Sequence, residues 1–183
     1  MSTTPNPAAA PPPPAVPTLY DETNRGMSAP EDPALLTLSP GVNLIAFMEH
    51  HDPTTGGSFG ICVSNTCNIN AIDQALFESI PLLYRPALDA TETHKITITL
   101  GFGMEATALG RIFFPIILLN KQDDNPVRIV VSAYVMPKLV VPMLMKNGYP
   151  IVGSKWGGGT VTWEFKLGGR HRRMVQVEGY LGT

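Results

Sequence analysis

One stretch of the chain, residues 60–73, constrains its fold more than any other. It begins as a short apolar strand, Ile61–Val63, and then breaks into small polar residues over Ser64–Asn68. An apolar pair at 71–72 resumes the extended pattern, and a helical run follows at Gln74–Ile80. The stretch therefore predicts a strand, a tight loop of small residues, a second strand and a short helix.

Short apolar runs separated by turn residues recur along the rest of the chain. Lys95–Leu100 alternates between polar and apolar residues, which is typical of a half-buried strand. Gly101–Gly103 supplies a turn, and Ala108–Leu119 returns as a nearly continuous apolar strand, so the two runs predict a β-hairpin with a mobile tip at Gly101–Thr107. The pattern predicts an all-β barrel or sandwich with one or two short helices. Its other predicted strands are Val42–Met48, Val127–Val135, Val161–Leu167 and Arg173–Val177.

The first 40 residues differ in composition from the rest. They contain ten of the eighteen prolines, including Pro11–Pro14. Such a segment favours extended, polyproline-like conformations and predicts a flexible tail at 1–40 before a β domain at 41–183. The tail is either a ligand for a proline-binding domain or a spacer, and we favour the spacer. Its removal is expected to lower the free energy of unfolding by less than about 1–2 kcal/mol.

The composition limits which kinds of binding partner and which cellular compartment we expect. The formal net charge of −2 gives no electrostatic reason to expect binding to nucleic acid. No apolar run is long enough for a membrane span, and the N-terminus lacks the features of a secretory signal. Two cysteines, Cys62 and Cys67, make neither a zinc site nor a disulfide scaffold. These features favour a reduced, intracellular setting, cytoplasmic or nuclear.

In the order of its parts, the region from Gly41 to Val177 resembles the retropepsin domain (the retroviral-type aspartic protease) of gypsy-type long-terminal-repeat retroelements. In that family, a strand leads into a loop that reads Asp-Ser/Thr-Gly-Ala/Ser. The matching residues here are Ser64, Asn65, Thr66 and Cys67, and the family's following Asn and Ile match Asn70 and Ile72.

Two later segments also resemble the family. The tip Gly101, Phe102, Gly103 and Met104 resembles its flap, which covers the substrate cleft. The stretches Ala133–Pro137 and Val141–Leu144 resemble the part that leads into the family's Gly-x-Asp turn and helix, matched by residues 146–148. The resemblance implies a retropepsin-like acid-protease barrel without a cofactor or metal. It also implies a homodimer that takes a peptide or polyprotein segment into its cleft.

The chain departs from the family at the catalytic positions. Ser64 stands where the family has its aspartate, Thr66 where the loop has glycine, and Lys146 where the later turn has glycine. Aspartic proteases activate water with two carboxylates that share a proton, and each subunit of a retropepsin dimer supplies one of them. A serine hydroxyl without an adjacent base does not activate water at neutral pH. The substitution at Ser64 therefore predicts an inactive protease.

Other chemically interesting residues have simpler interpretations. His50, His51 and Asp52 are adjacent in sequence and are interpreted as a solvated loop rather than a metal site. Asp73 is interpreted as the N-cap of the predicted helix and Glu78 as a residue of its exposed face. Both cysteines are interpreted as buried free thiols, although a pair formed by Cys67 and one of these histidines remains an alternative.

The preferred hypothesis is a retroelement-derived, retropepsin-like pseudo-protease that acts in peptide binding or in dimer assembly. Two alternatives remain open at this stage. One is an active aspartic endopeptidase that processes a retroelement polyprotein with an unrecognised carboxylate. The other is a β-sandwich structural or coat protein whose Pro-rich arm tethers subunits.

Overall fold

Twelve strands and one short α-helix make up the part of the chain that the computed structural model describes. The described residues are 16, 18–25, 42–49, 57–64, 67, 69–99, 105–146, 151–157, 160–167 and 173–181. The strands are β1 Thr18–Asp21, β2 Val42–Met48, β3 Ser58–Ser64, β4 Ala71–Asp73, β5 Thr97–Thr99, β6 Glu105–Thr107, β7 Gly110–Leu119, β8 Pro126–Met136, β9 Met143–Lys146, β10 Ile151–Gly157, β11 Thr160–Leu167 and β12 Arg173–Leu181. Helix α1 spans Gln74–Ser79, and two 3₁₀ helices span Glu22–Arg25 and Glu92–His94.

Six of the strands close into a barrel. Around the ring the order is β8, β4, β9, β3, β2 and β7, and β7 returns to β8 by a ten-residue antiparallel ladder. The strands β12, β11 and β10 continue the sheet from β2 outside the barrel, while β1 pairs with β8. The prediction of an all-β fold is confirmed, and of the two predicted architectures the closed ring is a barrel rather than a sandwich.

The barrel core follows from strict alternation along its longest strands. In β7 the side chains of Ile112, Phe114, Ile116 and Leu118 are buried, while the odd-numbered positions between them are partly or fully exposed. Alternate residues of a strand point to opposite faces, so the even positions of β7 face the interior. They pack there with residues of every other barrel strand and with Phe77 of α1.

The two segments on either side of the small-residue loop are not adjacent in the sheet. Strand β9, which lies about 70 residues later in the chain, is inserted between them. It runs parallel to β3 and antiparallel to β4. The apolar run that supplies β9 is thus fully buried on both sides, which explains why Met143, Leu144 and Met145 all have negligible exposure.

A hairpin is present as predicted, but the prediction of its second arm is wrong. Thr97–Thr99 pairs with Glu105–Thr107, and one further hydrogen bond joins the Ala108 amide to the Ile96 carbonyl at 2.8 Å. The chain then leaves the hairpin, because the Leu109 amide donates to the Val135 carbonyl of β8 at 2.8 Å. The long apolar run therefore forms the barrel strand β7 instead of the second arm of the hairpin. The tip residues 101–104 lie outside the described residues.

Part of the region predicted as a tail is a strand of the domain. β1 runs parallel to β8, with Thr18 opposite Arg128 and, after a shift in register, Asp21 opposite Val130. The next residue, Glu22, accepts a hydrogen bond from the Ser132 amide. The rest of residues 1–40, apart from Val16 and the short 3₁₀ helix, lies outside the described part.

The end of the chain, after β9, also departs from what the resemblance implies. The family has a helix after its Gly-x-Asp turn, which residues 146–148 match in sequence and of which only Lys146 is described here. This chain instead forms β10 at Ile151–Gly157. The strands predicted at Val161–Leu167 and Arg173–Val177 are present as β11 and the first half of β12. Among the described residues, no helix combines the length and the apolar character needed to cross a membrane.

Candidate functional site

Ser64 is the last residue of β3, and it lies directly opposite Lys146, the last residue of β9. Both strands run in the same direction, so their carboxyl ends bring these two residues side by side. The serine is buried, with a relative exposure of 8%, whereas Lys146 is partly exposed. Asn65 and Thr66, the other two predicted site residues of this loop, lie outside the described residues.

Alternation shows which face of the sheet Ser64 and Lys146 occupy. Val63 and Met145, one residue earlier in each strand, belong to the barrel core. Their neighbours Cys62 and Leu144 belong to a second, smaller core on the other face. Because residues two apart in a strand share a face, Ser64 and Lys146 are on the side of this second core.

The hairpin β5–β6 lies over the same face. Ile98 of β5 and Ala108, just beyond β6, are buried in the second core together with Cys62 and Leu144. The predicted flap residues Gly101, Phe102, Gly103 and Met104 connect β5 to β6 and are not among the described residues. The hairpin that carries them is thus anchored on the face of the sheet where Ser64 lies.

Asn70 connects strands β8 and β9 beside this site. Its side-chain oxygen accepts a hydrogen bond from the Lys146 amide at 3.0 Å, and its side-chain nitrogen donates to the Ser132 carbonyl of β8 at 3.0 Å. Its backbone carbonyl also accepts from the Tyr134 amide at 2.9 Å. The side chain is buried, with a relative exposure of 4%. Asn70 therefore fixes the end of β9, and with it Lys146, against β8.

Asp73 is the only carboxylate that the sequences of β3, β4 and β9 contain. One of its oxygens accepts from the Ala75 amide at 2.8 Å, which caps α1 as predicted, and the other accepts from the Leu139 amide at 2.7 Å. Its backbone amide bonds to the Pro142 carbonyl, just before β9 begins. Ser64 lies beside Lys146, at the other end of β9. Lys146 is four residues after Pro142, which corresponds to roughly 13 Å along the strand. Asp73 is thus a structural residue at the wrong end of the strand to replace the missing aspartate.

The two cysteines are free and buried, as predicted. Burial raises the pKa of the Cys62 thiol above its usual range, which keeps it protonated. The Cys67 thiol donates to the Ile69 carbonyl at 3.1 Å. Because the thiolate is the reactive form, a desolvated and protonated Cys62 is a poor nucleophile. His50 and His51, the candidate partners of Cys67, lie outside the described residues.

Sequence reasoning missed a second polar group, around His94. This histidine is buried, and its Nε2 lies 3.4 Å from an oxygen of Asp89. Asp89 and Arg111 exchange two backbone hydrogen bonds of 2.9 Å, which attaches the loop before His94 to β7. Gly110 lies so close to this loop that a Cβ there would be 2.5 Å from the Asp89 carbonyl oxygen. In the sequence, the only indication of this group is an aspartate and a histidine five residues apart, in a segment whose polar composition suggests exposure.

Metal chemistry has no support in the described part of the chain, where no three His, Cys, Asp or Glu side chains come together. The described side chains at the paired ends of β3 and β9 instead offer a hydroxyl, from Ser64, and an ammonium group, from Lys146. These groups donate hydrogen bonds and bind anions or carbonyl oxygens, but they include no general base of the carboxylate type.

Comparisons with known proteins give no match. No family model matches the chain, and no curated protein or solved structure is detectably similar to it.

Proposed function

We propose that the chain is a retropepsin-like domain of retroelement origin that binds an extended peptide without cleaving it. The single observation that carries this proposal is the position of Ser64, opposite Lys146 at the paired carboxyl ends of β3 and β9. The sequence segments on which the resemblance rests, 60–73 and 133–146, come together in one part of the sheet. The hairpin β5–β6, whose connecting residues resemble the family's flap in sequence, is anchored over the same face.

The absence of a carboxylate at this position is the chemical reason to propose binding rather than hydrolysis. The pair formed by Ser64 and Lys146 contains no carboxylate, so two copies related by a dimer axis would have no carboxyl pair to share a proton. Asp73 is engaged through both oxygens at the other end of β9. Donor groups below a hairpin suit a peptide backbone, whose carbonyl oxygens accept hydrogen bonds.

The test uses the purified full-length chain and a library of random ten-residue peptides. Between pH 3 and pH 7, we expect some peptides to be retained on the immobilised protein and recovered intact, as measured by mass spectrometry. Peptide cleavage that pepstatin blocks would show an active aspartic protease and overturn the proposal. Failure to retain any peptide would remove the binding function.

A pair of variants separates the effect of the missing carboxylate from any effect of the substitutions on folding. Ser64→Asp combined with Thr66→Gly restores the family's residues in the loop, while Ser64→Asn with Thr66→Gly is the matched control without the charge. We expect pepstatin-sensitive cleavage only from the first variant, because the resemblance implies a loop conformation that glycine permits, and the aspartate supplies the carboxylate. Equal rates of cleavage by the two variants would exclude a carboxylate mechanism at this position.

A further inference from the structure

A surface pocket lies on the barrel away from Ser64. It is open to solvent and is lined mainly by apolar and ring-bearing side chains, with one carboxylate. Six of these residues are Met48, Glu49, Pro81, Tyr84, Pro86 and Pro115. Tyr84 at this pocket is 44% exposed, and its neighbours Leu82 and Leu83 are more than 80% exposed. No residue of β3 or β9 lines the pocket, so it is separate from the candidate site above.

The chemistry of the pocket suits proline rings. Polyproline segments bind in grooves lined by aromatic side chains, where the flat ring faces pack against each other. Such a segment already favours its extended conformation and therefore loses little conformational entropy on binding. Tyr84 supplies the aromatic face, and prolines 81, 86 and 115 supply rigid apolar walls.

The N-terminal arm of the same chain enters the domain next to this pocket. Arg128 of β8 binds the Glu49 carboxylate through two of its nitrogens, and through the third it donates to the Thr18 hydroxyl at 3.1 Å. Glu49 lines the pocket and Thr18 begins β1, so a single guanidinium connects the pocket to the start of the first strand. Val16, two residues earlier, is partly buried.

The length of chain before β1 is sufficient. Pro11–Pro14 precede Thr18 by four to seven residues, a span of roughly 12–22 Å in polyproline conformation. A short linker of this kind gives an effective concentration in the millimolar range, so even a weak contact is substantially occupied. We propose that the segment Pro11–Pro14 docks into the pocket at Tyr84 within the same molecule. This proposal does not depend on the proposed function.

The test places a nitroxide spin label next to the proline segment in the full chain. Both native cysteines are buried, so a cysteine introduced by Ala10→Cys can be labelled selectively. We expect the amide signals of Glu49 and Tyr84 to lose about half of their intensity or more, as expected for a segment docked about half of the time. The amides of Glu105 and Thr107 on β6 serve as the distant reference. Equal loss at all four positions, or no loss, overturns the proposal.

Four further samples make the result specific. Tyr84→Ala, and separately the replacement of Pro11–Pro14 by four serines, should each restore the signals at Glu49. Replacement of Pro30 and Pro33 by serine is the matched control and should leave the loss unchanged. A mixture of isotope-labelled chain without the spin label and unenriched, spin-labelled chain should show no loss. A loss of equal size in the mixture would mean that a second copy supplies the arm, which contradicts docking within one molecule.

Discussion

At the residue scale, Asn70 links two strands beside the candidate site through its side chain. It is one of four buried polar residues among those described, and it satisfies one backbone amide and one backbone carbonyl on two different strands. Its equivalence to the family's asparagine was predicted from sequence. The partners were not, because Ser132 and Lys146 are 62 and 76 residues away in the chain.

Replacing Asn70 by leucine should destabilise the protein. The substitution leaves the Lys146 amide and the Ser132 carbonyl without this partner, at about 1–3 kcal/mol for each buried group that finds no other. Urea unfolding measures the loss in the free energy of unfolding. Asn125→Ala in the exposed turn before β8 is the control, and a similar loss in both variants would show that the Asn70 bonds contribute nothing specific.

Asp89 provides a prediction about pH. The backbone amide of Thr91, and then its hydroxyl, hold the pKa of the Asp89 carboxyl below its ordinary value of 3.8, with smaller contributions from His94 and Arg111. A lowered folded-state pKa stabilises the protein above the unfolded-state pKa, and this contribution is lost as the pH falls through the folded-state value. Asp89→Asn should therefore be less stable than the wild type at pH 7, with the difference shrinking as the pH falls below 3.8 and through the folded-state pKa.

Unfolding by urea at pH 7 and at pH 3 measures this difference. Glu105→Gln removes one exposed carboxylate from β6 and controls for the change in net charge. A stability difference for Asp89→Asn that is the same at both pH values would show that the hydrogen bonds from Thr91 do not favour the ionised carboxyl.

At the scale of elements, strand positions were predictable and their partners were not. Val42–Met48 was predicted at its observed bounds, and the helix was predicted to within one residue. Periodicity reports which face of a strand is buried, but it carries no information about which strand lies beside it. The apolar run at 108–119 was therefore assigned to the nearest strand, whereas the ten-residue ladder with β8 satisfies far more of its backbone groups.

The strand β1 leads to a prediction about truncation. Deleting residues 1–25 removes the ladder on β8, the Glu22 contact to the Ser132 amide and the Thr18 contact to Arg128. Because β1 belongs to the sheet, we expect this deletion to lower the free energy of unfolding by more than about 2 kcal/mol, a large part of the stability of a typical domain. This replaces the smaller loss that the sequence predicts for removal of residues 1–40. Deleting residues 1–15 keeps β1 and should cost less. Equal unfolding midpoints in urea for the two truncated chains would show that β1 does not contribute to stability.

At the scale of the whole molecule, the barrel depends on one short seam. β7 pairs with β8 over ten residues but with β2 over only two, Phe47 opposite Ile117 and Met48 opposite Ile116. Composition and alternation predicted an all-β domain, yet closure needs a register between distant strands that no local pattern specifies. The insertion of β9 between β3 and β4 also depends on a register between distant strands, so no local sequence pattern predicts it.

Two adjacent isoleucines of this seam test the closure directly. Ile116 is fully buried in the barrel core, whereas Ile117 points outward and is only partly buried. Ile116→Ala should lower the free energy of unfolding by about 2–5 kcal/mol, because it leaves a cavity in a close-packed interior. Ile117→Ala makes the same chemical change one residue away on the opposite face, so it should cost clearly less. Chemical denaturation of the two variants gives the comparison. Equal losses would mean that β7 does not present its even-numbered residues to a common core. A larger loss at Ile117 would mean that the strand lies in the opposite register, in which case the six-stranded ring could not close as described.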